Sequence, residues 1–187
     1  MTNNTEDKMH GSIFVFLKRF VESSYDFSTW IKLLDTAGIN HETYQMHGMY
    51  PTKELQTIVS TASELTGLSV DELQESFGRF LVPDLLLIYR KHLNPEWKTF
   101  QMLQYTEAVM HGAVRREDSR TNPPILSVSK VSNKLLIIDY HSKRRMASVA
   151  IGIIKGIAQY FQESDIVTVT PVTPRDAERV QLRIEFA

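Results

Sequence analysis

Apolar positions recur every three or four residues as far as about Glu117 and every second residue beyond it, so the chain predicts helices first and strands afterwards. In "SIFVFLKRFVESS", Ile13, Phe16, Leu17 and Phe20 fall on one helical stripe. "TWIKLLDTAG" predicts a helix closed by Gly38, and "PTKELQTIVSTASELTG" one opened by Pro51 and closed by Gly67. "SVDELQESFGRFL" starts with Ser69 and, three residues on, Glu72, the reciprocal pattern of a capping box. Pro83 is expected to break or bend that helix before "DLLLIYRKHL", and a further helix is expected from Trp97 to Arg116. After the loop "EDSRTNPP" the period drops to two. "ILSVSKV" and "KLLIIDYHSKR", joined by "SN", read as a hairpin, and "IVTVTPV" and "RVQLRIEF" as two closing strands. A helix from Arg145 to Phe161 separates the pairs. The fold class expected is α+β: an N-terminal helical subdomain, then a mostly antiparallel four-stranded sheet with one packed helix and a ligand groove between.

Composition narrows the functions open to such a fold. The chain has 187 residues, of which 42% are hydrophobic and 23% charged, with a net charge of −1. That balance fits one soluble domain and argues against a nucleic-acid partner, which a basic face would mark. With no cysteine, disulfides, thiolate metal sites and cysteine catalysis are all excluded. The start "MTNNTEDKMHG" lacks the apolar core of a secretory signal. The stretch from Met146 to Ala158 is broken by Ser148 and Lys155 and is too short to span a bilayer. A cytoplasmic protein with no membrane partner is expected, with residues 1–8 as a disordered extension and residues 9–187 as the domain.

Candidate chemistry concentrates in two places. His10, His41, His47 and His92 stand near helix ends without a second histidine at ligand spacing, which predicts surface or capping roles. His111 instead shares a face with Phe100, Leu103, Met110 and Val114 and precedes Gly112, which leaves room beside it. A histidine on an apolar stripe is ordinarily a satisfied core residue. The second place is "DYHSKRR". On an extended segment Tyr140, Ser142 and Arg144 would share one face over about 13 Å, given a rise of roughly 3.3 Å per residue. One guanidinium fork and two hydroxyls suit a pair of carboxylates on a rigid plate. A planar dicarboxylate facing a neutral imidazole describes haem. Equally open from these residues alone, Arg144 pairs with a surface aspartate and Tyr140 simply packs.

From Met9 to Phe186 the chain resembles the haem nitric oxide/oxygen-binding (H-NOX) family, the sensor fold also found in soluble guanylate cyclase. The resemblance rests on "MHGSIF", the helical half "YPTKELQTIVSTASELTGLSVDELQESFG", "MHGAV", "NPPIL", the tyrosine-x-serine-x-arginine signature "YHSKR", and "IGIIKGIAQYF". It implies haem b (iron protoporphyrin IX), with His111 as axial iron ligand and Tyr140, Ser142 and Arg144 on the propionates. It implies further that Pro124 distorts the macrocycle and that Ile13, Leu17, Leu81, Val149 and Ile153 line the pocket. Oxygen-binding members place a tyrosine five residues after the signature arginine, supported by a tryptophan and an asparagine. Here the corresponding positions are Val149, Leu17 and Leu81, all aliphatic.

The resemblance therefore implies a sensor that binds nitric oxide and carbon monoxide at ferrous iron without forming a stable oxygen complex. It implies signalling by weakening of the bond to His111 and movement of haem and helices. No room for an effector is expected after Ala187, so the partner implied is a separate histidine kinase or cyclic-di-GMP enzyme acting in trans. Catalysis is not expected, because an aliphatic distal wall offers neither base nor charged donor to split a peroxide bond. Two other readings stay open: a haem-free protein-interaction module of the same fold, and a haem enzyme.

Overall fold

The computed structural model describes residues 6–187. Of the extension expected over residues 1–8, the first five lie outside the described residues. Asp7 and Lys8 are ordered: the Thr52 N–H donates to the Asp7 carbonyl at 2.9 Å, and Lys8 opens strand β1 (Lys8–His10). The chain then divides into two compact units, one ending at Leu73 and one running Gln74–Ala187.

In the first unit, β1 pairs antiparallel with β2 (Met49–Pro51) beside helices α1 (Gly11–Ser24), α2 (Phe27–Thr36) and α3 (Thr52–Thr66). The stripe on α1 is rotated from the one expected. Phe14, Phe16, Leu17 and Val21 are buried, whereas Ile13 and Phe20 are only half-buried. Phe14 stacks on Tyr44 at 4.5 Å, and the buried Trp30 donates its Nε1–H to the Glu42 carbonyl at 3.1 Å. Gly38 and Gly67 adopt φ of 69° and 74°, the left-handed conformation that ends helices α2 and α3. Ser69 and Glu72 form the expected capping box at the start of α4 (Val70–Ile88).

Pro83 does not break α4, which continues through it to Ile88. Proline removes one helical hydrogen bond, but Leu81, Val82 and Leu86 on either side of it are buried, and that burial outweighs a single lost bond.

The second unit holds the four-stranded antiparallel sheet, in the order β3 (Ile125–Ser132), β4 (Leu135–His141), β6 (Arg179–Phe186), β5 (Val167–Pro171). Alternation gives it one apolar face, with Leu136, Ile138 and Tyr140 from β4 and Val180, Leu182 and Ile184 from β6. Helix α7 (Ala147–Tyr160) covers that face with Ala147, Ile151, Ile154 and Ile157, spaced three or four apart, and α5 (Thr99–Thr106) adds Met102 and Leu103. The other face of α7 meets α4 without side chains between. A Cβ built on Gly152 would stand 2.1 Å from the Glu75 carbonyl oxygen, and one on Gly78 2.2 Å from that of Val149. Only glycine permits backbones this close.

Candidate functional site

The helix expected from Trp97 to Arg116 is not uniform. After α5 the chain makes one π turn, Glu107–His111, before resuming as α6 (Gly112–Glu117). The Gly112 N–H reaches back to the Glu107 carbonyl, five residues away, so one extra residue is accommodated directly before His111. An added Cβ on Gly112 would meet Arg116 Nη1 at 3.1 Å, the mobile end of a side chain.

The His111 side chain is 16% exposed, and its Nδ1 lies 2.8 Å from Glu107 Oε2. Burial lowers the basicity of the imidazole, opposed in part by hydrogen bonding to Glu107 and by the Pro124 carbonyl. For Glu107, burial acts to raise the carboxyl. The hydrogen bonds from His111, the Leu126 N–H and Arg115 outweigh it and hold the group below its ordinary range. Both directions describe a neutral ring beside a carboxylate. A carboxylate only accepts, so Nδ1 carries the proton and the lone pair resides on Nε2.

Only the first member of the polar trio is on a strand. Tyr140 lies in β4, 3% exposed, with its side chain on the core face. The strand ends at His141, and Ser142–Arg145 form a turn closed by the Arg145 N–H donating to the Ser142 carbonyl at 3.2 Å. The Ser142 hydroxyl accepts from the Arg144 N–H at 3.2 Å, and Arg145 takes φ of 55°. The three side chains are therefore not strung along an extended segment, as the alternation predicts; the serine hydroxyl competes for the backbone and bends it. They converge nonetheless. Burial raises the Tyr140 phenol, while hydrogen bonds from Ser142 and the Met146 N–H and the charge of Arg144 pull it the other way.

The loop before β3 lies beside both places. Arg144 Nη1 donates to the Asn122 carbonyl at 2.6 Å, and the Pro124 carbonyl, two residues further on, acts to raise the basicity of the His111 ring. Of the aliphatic positions, Leu81 on α4 is 2% exposed, and Val149 and Ile153 on α7 are half-buried. Ile13 and Leu17 are on α1 in the first unit. His10 caps α1, accepting from the Ser12 N–H at 3.4 Å, and no cluster of three or more metal-ligating side chains occurs among the described residues.

Residue types fit a haem: one neutral imidazole with a lone pair, and a guanidinium with two hydroxyls for acidic groups. Sequence reasoning passed over Glu107, Arg115, Asn122 and Met146. The first two had a signal, since Glu107, His111 and Arg115 are spaced by four. The backbone groups of the others had none.

The fold is an α+β domain, helices first and an antiparallel sheet after them. The chain belongs to the haem-NO-binding family, whose profile (HNOB) matches residues 10–169. The matched region is a sensor domain, not a catalytic one. Among curated relatives, soluble guanylate cyclase 89Db of Drosophila melanogaster is 24% identical over 161 residues, covering 84% of this chain and 24% of the relative. Soluble guanylate cyclase gcy-31 of Caenorhabditis elegans is 24% identical over 182 residues, covering 95% and 26%. The chain thus spans about a quarter of these relatives' length. Among solved structures, an H-NOX protein from S. oneidensis in the Fe(II)NO state superposes with a TM-score of 0.86 at 23% identity, covering 96% of this chain and 99% of that one. The unliganded Fe(II) H-NOX protein from K. algicida gives 0.84 at 20% identity, covering 96% and 97%. These likenesses show the fold. No helix among the described residues is long and apolar enough to cross a membrane.

Proposed function

We propose that this chain is a haem-based gas sensor that holds haem b through His111 and the Tyr140–Ser142–Arg144 turn, takes nitric oxide or carbon monoxide, and signals in the cytoplasm to a separate protein. The observation that carries this reading is the loop at Asn122–Pro124, where the Asn122 carbonyl accepts from Arg144 and the Pro124 carbonyl acts on the basicity of the His111 ring. When bound, the haem supplies a ferrous iron able to take a diatomic gas. His111 presents Nε2 to the metal, because Glu107 holds the proton on Nδ1. Arg144, Ser142 and Tyr140 offer a cation and two hydroxyls to the propionates. Pro124, at the end of the bridging loop, is the residue proposed to press on the macrocycle.

Val149, Ile153 and Leu81 offer no hydrogen-bond donor to a gas. Bound oxygen draws negative charge and needs such a donor, whereas nitric oxide does not. The pocket role proposed for Ile13 and Leu17 rests on the family resemblance alone. The partner proposed, a histidine kinase or cyclic-di-GMP enzyme in trans, rests on the same ground.

The test is an absorption spectrum of the haem-supplied, reduced protein under argon, then under nitric oxide, then, in a separate sample, in air. A Soret band that shifts with nitric oxide, and no stable ferrous–oxygen spectrum in air, is expected. A colourless protein overturns the haem reading, and a stable oxygen complex overturns the ligand choice.

A further inference from the structure

We propose that Glu107 is the positioning residue of the axial histidine: one carboxylate fixes the His111 ring through Nδ1 and ties it to the start of β3 and to α6. The inference rests on the haem reading only in naming Nε2 as the iron-binding nitrogen. The ring anchor itself is a property of the chain.

The geometry uses both oxygens. Glu107 Oε2 accepts from His111 Nδ1 at 2.8 Å and from the Leu126 backbone N–H at 3.0 Å, while Oε1 accepts from Arg115 Nη2 at 2.8 Å. Glu107, His111 and Arg115 stand four residues apart. Residues at that spacing share one helical face, and here the row includes a π turn. Leu126 is the second residue of β3, and its position opposite Tyr140 in the antiparallel ladder ties that point of the sheet to the strand carrying the tyrosine. A carboxylate with charged and neutral donors on three sides is costly to displace, because each donor left without it loses a partner in a half-buried place.

Two consequences follow. First, a carboxylate accepting from Nδ1–H makes the ring a stronger electron donor through Nε2, as for other metal-bound histidines with an anionic partner. The bond to iron is strengthened and the ferric state favoured. Second, any swing of the His111 ring must either stretch the contact to Glu107 or carry the carboxylate with it. The Leu126 N–H and the Arg115 guanidinium receive that displacement directly. Such a three-way joint can bias a two-state element, because its contacts differ with the ring in place and the ring displaced.

The experiment has an arm without haem and an arm with it. In the haem-free full chain, long-range nitrogen–proton NMR of the His111 ring is expected to report the Nδ1–H tautomer in the native protein. Glu107→Asp should keep that tautomer and Glu107→Leu should lose it. In the haem-loaded ferrous chain, resonance Raman and potentiometry are expected to show a lower iron–histidine stretching frequency and a more positive midpoint potential for Glu107→Gln, with partial return in Glu107→Asp. Arg115→Ala, which keeps the histidine contact but removes a cation that weakens Glu107 as an acceptor, should shift both in the opposite direction and by less.

An Nε2–H tautomer in the native haem-free chain overturns the proposal. So does a Glu107→Gln protein that binds haem with an unaltered stretching frequency and potential. Failure of the native protein to take up haem defeats the reading of the site as a haem pocket, while the NMR arm still decides whether Glu107 anchors the ring.

Discussion

Two parts of the Gln74–Ala187 unit hold their helices by opposite means. Helices α4 and α7 meet backbone to backbone at Gly78 and Gly152, where no side chain intervenes. The helix bearing His111 is interrupted by a π turn, and Glu107 links it to β3 through a hydrogen-bonded carboxylate. Backbone contact at van der Waals distance has one arrangement and resists any change of volume. A carboxylate shared among three donors is held firmly but can shift by exchanging hydrogen bonds, at a cost below that of forcing two backbones apart. The contrast suits a sensor: Leu81, Val149 and Ile153 belong to the stiff pair, and the imidazole belongs to the part able to yield.

Substitution at the close contact gives the largest effect. Gly152→Val puts a branched side chain where even a Cβ would lie 2.1 Å from the Glu75 carbonyl oxygen, and a loss of at least about 3 kcal/mol in denaturant unfolding is expected. A loss under about 1 kcal/mol would mean that α4 and α7 slide apart easily, and the contrast would fail. Glu107→Gln in the haem-free chain should cost less, about 1–2 kcal/mol, since the shape is kept and the amide oxygen still accepts, while the amide NH2 replaces one acceptor. A cost equal to that of Gly152→Val would contradict the idea of a yielding element.

Ser69→Ala removes the cap of α4 and should cost about 1 kcal/mol, a local effect against which the other two are read. The smallest effect is expected at Glu75. Burial acts to raise its carboxyl, but hydrogen bonds from Lys155 and Arg79, with their charges, hold it below the ordinary value of 4.5. A carboxyl more acidic in the folded than in the unfolded chain stabilises above that ordinary value, and its contribution fades as pH falls through the lower folded value. Unfolding measured from neutral pH down to acid should therefore show a shallower decline for Glu75→Gln. An unchanged acid limb would mean that these pairs contribute nothing at the α4–α7 contact.

How much the sequence disclosed follows from the range of each interaction. Ser69 and Glu72, Gly38 and Gly67 act within one turn, and their caps were legible from spacing alone. So was the inward row Val180, Leu182, Ile184, because alternation over a whole strand has one meaning when one face is buried. The pairing of Lys8–His10 with Met49–Pro51 was not legible, since strands of three residues carry no period and the partners are remote in the chain. Continuation of α4 through Pro83 was hidden for a related reason: proline's local penalty is visible, but the burial of Val82 and Leu86 that overrides it is tertiary.

At the candidate site the expected extended run of Tyr140, Ser142 and Arg144 is instead a strand end followed by a turn, because the Ser142 hydroxyl accepts from the Arg144 N–H and the strand stops at His141. The π turn before His111 leaves no mark in hydrophobic spacing, whereas Glu107 and Arg115 are marked by their spacing of four on either side of His111.

The most direct test of the central claim is the iron–histidine stretching band of the ferrous, haem-supplied protein, compared between the native chain and His111→Gly with and without added imidazole. A band in the native chain, little haem retained by the variant alone, and recovery of pigment when imidazole fills the gap are expected. A variant that keeps five-coordinate haem without imidazole, with the native band unchanged, would contradict that claim.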